Sequence, residues 1–324
     1  MLLRKILLLL IFIPFACAQK PALVFTEYGS SAYSQKSILL YKKALKSAGL
    51  KEADLLYTCY VKDVSDHNID CSSFDSPRLH RIKELTKDLK SEEMKVTLRF
   101  YVDLKDQKWR AYWHPTKIKK AFTLLKEELI KFATMAQEAK ADQLIIGSEY
   151  ELMTAPKYKD KWLDIIGALR KVYSQKLLYA ANGNTNKREK PEYTWVPFWS
   201  ALDGIGINYY PPFKGKVSEV TLTEHHKNQI KRLKDFATKN SQDLIITEVG
   251  FPLAEKGIYT PYEWRYQAQD RPSARLRNLS LKLFLKESRN IKGIHLWRYL
   301  PTEKKLHPLG YLIDESYLKT LKEN

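Results

Sequence analysis

The chain has 324 residues, 44% of them hydrophobic, and its 55 Lys and Arg against 37 Asp and Glu give a formal net charge of +18. That length can bury a sizeable core, and no Gly/Ser- or Pro-rich stretch divides it as a linker would, so one large domain is expected. The lysines are scattered along helical segments such as Lys42-Lys43 and Lys117-Ile118-Lys119-Lys120, with no DNA or RNA motif beside them, which argues against a nucleic-acid partner.

At the N-terminus, Arg4 and Lys5 precede an apolar run from Ile6 to Ile13 and then Ala16-Cys17-Ala18, the layout of a signal peptide over residues 1–18. The run is too short to span a bilayer comfortably. Two processing outcomes stay open: cleavage after Ala18, or lipidation of Cys17, which would attach the protein to a membrane. Pro14 stands three before the cysteine where a lipoprotein signal prefers Leu. The body, residues 20–324, is expected to be exported: periplasmic, extracellular or lipid-anchored at the cell envelope. Its two cysteines, Cys59 and Cys71, can pair there if their backbones approach closely. Neither belongs to a CxxC, and no nearby histidine pair completes a zinc site.

Strand-like runs follow in order at Ala22–Tyr28, Asp54–Val61, Lys95–Asp103, Asp142–Glu149, Lys176–Asn182, Leu202–Tyr209, Asp243–Glu248 and Lys292–Trp297. Amphipathic segments separate them; Ile118, Phe122, Leu125, Leu129, Phe132 and Met135, for example, recur at helical spacing. Eight strand–helix units in one uninterrupted domain predict an α/β fold, a (β/α)8 TIM barrel. A doubly wound open sheet is the alternative, but Tyr28-Gly29-Ser30-Ser31 after the first strand lacks the GxGxxG spacing that such a sheet advertises.

Two of the runs end in a glutamate: Leu144-Ile145-Ile146-Gly147-Ser148-Glu149 and Leu244-Ile245-Ile246-Thr247-Glu248. A buried parallel strand that stops at a carboxylate delivers an acid to the face where barrel enzymes keep their chemistry. Two carboxyl groups with different environments can protonate a glycosidic oxygen and stabilise the developing oxocarbenium ion. Either glutamate alone could simply pair with an arginine. Glu151 rivals Glu149, because Glu149-Tyr150-Glu151 puts two acids on one side of a continued strand. Glu27, Asp103 and Asp203 also stand near strand ends. Arg99 alternates with Thr97 and Tyr101, points inward if they do, and then needs a carboxylate, either Glu248 or a structural acid. The long connections at 61–78, 103–115, 182–198 and 210–217 carry Trp109, Tyr112, Trp113, Tyr193 and Trp195, which can stack on sugar rings or anchor loops. Trp297, at the end of the last strand, is the best placed for stacking. No GxSxG elbow, HExxH or phosphate loop is present.

These motifs, in this order, resemble the TIM-barrel glycosidases of clan A, and most closely glycoside hydrolase family 113, whose members include β-mannanases. The likeness runs through Val96–Asp103 with Trp109-Arg110, Ile146–Glu149, Tyr179–Asn182, Phe198-Trp199 with Leu202–Gly206, Thr247–Gly250 and Leu296-Trp297. It implies Glu149 as general acid/base, Glu248 as nucleophile, a retaining double displacement on a β-linked polysaccharide or oligosaccharide of the β-mannan type, and no cofactor or metal. Arg99, Trp109, Asn182, Tyr209, Tyr210 and Trp297 form the expected substrate-binding set, and a monomer is expected. Ser148 stands where many clan members have Asn, and Leu98-Arg99-Phe100-Tyr101 stands where Leu-Lys-Pro-His would be expected. A competing expectation is a non-catalytic, surface-anchored carbohydrate-binding or host-interaction lipoprotein on a glycosidase scaffold.

Overall fold

The computed structural model describes residues 20–184, 189–263, 265–267 and 269–324; residues 1–18, where a signal peptide is expected, with Cys17 and the two processing outcomes, lie outside them. Eight parallel strands close in sequence order into one barrel. They are β1 (Ala22–Phe25), β2 (Glu52–Val61), β3 (Lys95–Leu104), β4 (Gln143–Ser148), β5 (Lys176–Asn182), β6 (Ile205–Tyr209), β7 (Leu244–Val249) and β8 (Ile294–Tyr299). Each overlaps its expected run, because a strand covered by the barrel interior on one side and a helix on the other reads as an apolar stretch. The fold is a (β/α)8 TIM barrel.

The outer layer is α1 (Gln35–Ala48), α2 (Leu79–Ser91), α3 (Ile118–Glu138), α4 (Lys159–Arg170), α5 (Glu219–Lys239), α6 (Ala274–Glu287), α7 (Glu303–Leu306) and α8 (Glu315–Glu323). Helix α3 buries Phe122, Leu125, Leu129, Phe132 and Met135, the face its spacing predicts. Among the described residues, the connection from β5 to β6 carries 3-10 turns at Glu192–Thr194 and Trp199–Ala201 where the other crossovers have α-helices. No helix among them is long and apolar enough to cross a membrane.

The barrel interior changes character along its axis. Ile145, Leu178, Ala180 and Ile245 form an apolar plug. Val24, Leu56, Tyr101, Tyr210, Trp297 and Tyr311 form a second buried cluster, and its aromatic members include two that touch Glu248. A buried polar belt also crosses the barrel: Asp54 accepts from Arg99 and pairs with His295, whose other ring nitrogen lies 3.5 Å from Gln143. Cys59 and Cys71 form a disulfide across a Cα–Cα distance of 4.3 Å, beside an antiparallel bridge between Tyr60 and Asp70. The loop after β2 is thereby folded back onto its own strand.

Candidate active site

Strand β4 ends at Ser148, and the next residue, Glu149, takes a left-handed backbone conformation with φ 56°. This conformation is uncommon for a residue with a Cβ and concentrates at functional sites. Gly147 leaves room for the ring of Tyr150, from which a Cβ on it would stand 2.6 Å. The Glu149 carboxylate is then held from two sides. Trp109 Nε1 donates to Oε2 at 2.8 Å, and Asn208 Nδ2, from β6, donates to Oε1 at 3.0 Å. Arg110 Nη1 lies 3.9 Å from Oε2 while its Nε donates to Asp103 at 2.7 Å.

Glu248 lies inside β7, 5% exposed, with donors converging on it. The hydroxyl of Tyr101 donates to Oε1, the hydroxyl of Tyr210 donates to Oε2 at 3.1 Å, and Arg99 Nη1 lies 3.3 Å from Oε1. Burial pushes the Glu248 carboxyl up to about 7; Arg99 pulls against this, and the charge of Glu149 adds to it. Arg99 resolves its open partner choice by taking both: it donates to Asp54 through Nε and Nη2, and it reaches Glu248. Against the upward push of burial, Arg99 and His295 hold Asp54 below the usual carboxylate range.

The remaining expected residues fall into distinct places. Trp297 is 9% exposed and lies nearly parallel to Tyr101, with ring centroids 6.4 Å apart. Tyr210 and Trp109 reach the two carboxylates, one each. Arg99 is fully enclosed, so it acts on a bound sugar only through Glu248 and Tyr101. Asn182 is buried and already engaged: its Nδ2 donates to Glu151 at 3.0 Å and its N–H to Glu192 at 2.8 Å. Tyr209 points away from the pair, its hydroxyl 2.9 Å from His226 Nδ1. Glu151 is 3% exposed beside Asn182. Among the loop aromatics, Trp113 is buried against Tyr150 and Tyr193 against Phe236, so both anchor loops. Glu27 serves the start of α1 through Ser37, and Asp203 pairs with Arg170 and the N–H of Leu177. Among the described residues no group of three or more His, Cys, Asp or Glu side chains could hold a metal ion.

Sequence reasoning did not assign Asn208, Asp54 or Tyr311 to the site. Asn208 links the two strand ends, because its Nδ2 also reaches Ser148 Oγ at 3.1 Å and its Oδ1 accepts from Thr247 at 2.9 Å. Tyr311 packs on Tyr210 with ring centroids 6.1 Å apart. The one available signal was Asp54, the sole charged residue of the expected run at 54–61.

The sequence profile of glycoside hydrolase family 113 matches residues 27–307. The chain belongs to glycoside hydrolase family 113. It is a glycosyl hydrolase, and its substrate class is carbohydrate. No sequence among curated proteins matches it. Among solved structures, the family 113 β-mannanase AaManA from Alicyclobacillus acidocaldarius, in complex with ManMIm, is 16% identical with a TM-score of 0.79, covering 95% of this chain and 97% of that one. A family 113 β-1,4-mannanase complex is 15% identical with a TM-score of 0.78, covering 95% and 98%. An endo-1,4-β-mannanase from Rhizomucor miehei is 11% identical with a TM-score of 0.57, covering 94% of each chain. At these identities the likeness is one of fold.

Proposed function

We propose that this family 113 hydrolase is an exported, retaining β-glycosidase that cleaves a β-linked polysaccharide or oligosaccharide of the β-mannan type. Glu149 acts as general acid/base and Glu248 as nucleophile. The observation that carries this reading is the contrast between the two carboxylates. Glu248 is enclosed by Tyr101, Tyr210 and Arg99, all donors that favour its ionised, attacking form. Glu149 is the more open of the two, with side-chain exposure of 13% against 7%, and it stands beside Trp109 where a leaving oxygen can reach it.

In the first step Glu248 attacks the anomeric carbon, the glycosidic C–O bond breaks, and Glu149 gives its proton to the departing oxygen. In the second step Glu149 takes a proton from water, whose oxygen attacks the glycosyl–enzyme ester and frees Glu248. Trp297 and Trp109 offer apolar faces to the sugar. The β-mannan assignment draws on what the similar structures are named for, and export draws on the N-terminal residues and the Cys59–Cys71 disulfide.

Incubating residues 20–324 with mannan, glucomannan and other β-linked glycans, and following new reducing ends beside Glu248→Gln, tests the proposal. Release from mannan that vanishes in the variant is the expected result. Binding without release across the panel contradicts it.

A further inference from the structure

Glu192 stands in the loop after β5, fully buried, and is used by none of the chemistry above. Its carboxyl group is the meeting point of three donors. The hydroxyl of Tyr179 donates to Oε1 at 2.7 Å, the hydroxyl of Thr154 donates to Oε1 at 2.9 Å, and the N–H of Asn182 donates to Oε2 at 2.8 Å. Tyr179 in turn accepts from the N–H of Tyr150 at 2.7 Å.

These contacts bracket the segment that follows Glu149. Tyr150 is the residue directly after it, and Thr154 closes the turn beyond, with its own N–H bonded to the Tyr150 carbonyl at 2.9 Å. The Glu149 N–H is fixed to the Ala180 carbonyl of β5 at 2.9 Å. A left-handed backbone at a non-glycine residue persists only where its surroundings over-determine it. Here the segment after Glu149 is tethered at both ends to one buried carboxyl group. Burial pushes Glu192 up to about 8, against its three hydrogen bonds and with the charge of Glu151 adding to the push.

We infer that Glu192 and Tyr179 are positioning residues for the general acid/base: they set the direction of the Glu149 carboxyl group through the Tyr150 peptide and Thr154. The inference rests on Glu149 being the acid/base. A group that delivers a proton to a leaving oxygen loses efficiency when displaced by a fraction of an ångström. It matters little when the leaving group departs without a proton.

The test is therefore kcat/KM on two substrates, β-1,4-mannotetraose and 2,4-dinitrophenyl β-mannobioside, for wild type, Glu149→Gln, Tyr179→Phe and Glu192→Gln. Glu149→Gln must lose activity on the tetraose far more than on the dinitrophenyl glycoside; equal losses overturn the acid/base reading and the inference with it. Given that pattern, Tyr179→Phe is expected to fall ~10- to 100-fold on the tetraose and to stay within about twofold on the activated substrate. Glu192→Gln provides the same comparison if the tyrosine variant does not fold. Equal losses on both substrates, or no loss on either, overturn the positioning role while leaving Glu149 as acid/base.

Discussion

The hydroxyl of Tyr210, just past the end of β6, donates to Oε2 of Glu248 on the neighbouring strand at 3.1 Å. Hydrogen bonds to a charged group contribute about 1.5–3 kcal/mol, so Tyr210→Phe should lower kcat/KM by about 10- to 100-fold. Circular dichroism would show an unchanged fold, since the ring keeps its packing on Tyr311. Wild-type kinetics in this variant would detach Tyr210 from the nucleophile.

Tyr101→Phe removes the other phenolic donor to Glu248. In the free enzyme Glu248 must be ionised to attack, so kcat/KM should rise with pH through about 7. A hydrogen bond from Tyr101 lowers that value, so the acid limb of the variant should move to higher pH. An unmoved limb would assign it to another group.

Asp54 and Arg99 are both completely buried. Removing one partner of such a pair strands the other charge and costs about 3–5 kcal/mol. Asp54→Ala should therefore show a marked loss of thermal stability in calorimetry. It should also lose turnover, because the freed guanidinium no longer holds its place beside Glu248.

Cys59 and Cys71 close a loop with a sequence separation of 12. For a loop of that size the link contributes about 3 kcal/mol. The double Cys59→Ser, Cys71→Ser variant should melt lower by that equivalent, and reductant should lower the wild-type melting temperature but not that of the variant.

Stability should respond to pH through two buried groups of opposite sign. Glu192 is raised to about 8, so the stability tied to its neutral form is complete below about 4.5 and is lost as pH climbs towards 8. Relative to Glu192→Gln, the wild type should lose melting temperature across that window. His226, 5% exposed and with Nε2 unpartnered, is pushed down to about 3 by burial, with His225 adding to the shift. Its contribution is lost as pH falls below about 6.5, where the unfolded imidazole takes up a proton. Relative to His226→Gln, the wild type should lose stability on acidification.

All eight strands were legible because buried parallel strands write themselves as apolar runs, and β5 at Lys176–Asn182 was bounded by its residues alone. Glu149 and Glu248 stood out because each ends or nearly ends such a run. The partners did not, since each contact is a cross-barrel meeting of residues far apart in the chain: Tyr101 with Glu248, Asn208 with Glu149, Asp54 with Arg99. No local pattern distinguishes Tyr209, which turns to His226, from Tyr210, which turns to Glu248. Tyr209 is the last residue of β6 and Tyr210 the first beyond it, and their side chains leave in different directions. The loop at 192–194 gave no helical period, and its buried carboxyl group is visible only once β5 and the turn after β4 are placed together.

If Glu248 is the nucleophile, it must carry the sugar covalently between the two displacement steps. Treating the enzyme with 2-deoxy-2-fluoro-β-mannosyl fluoride and sequencing its peptides by mass spectrometry tests this directly. Inactivation with one fluoroglycosyl group on Glu248 is expected; a label on Glu149, Glu151 or any other residue would contradict the assignment.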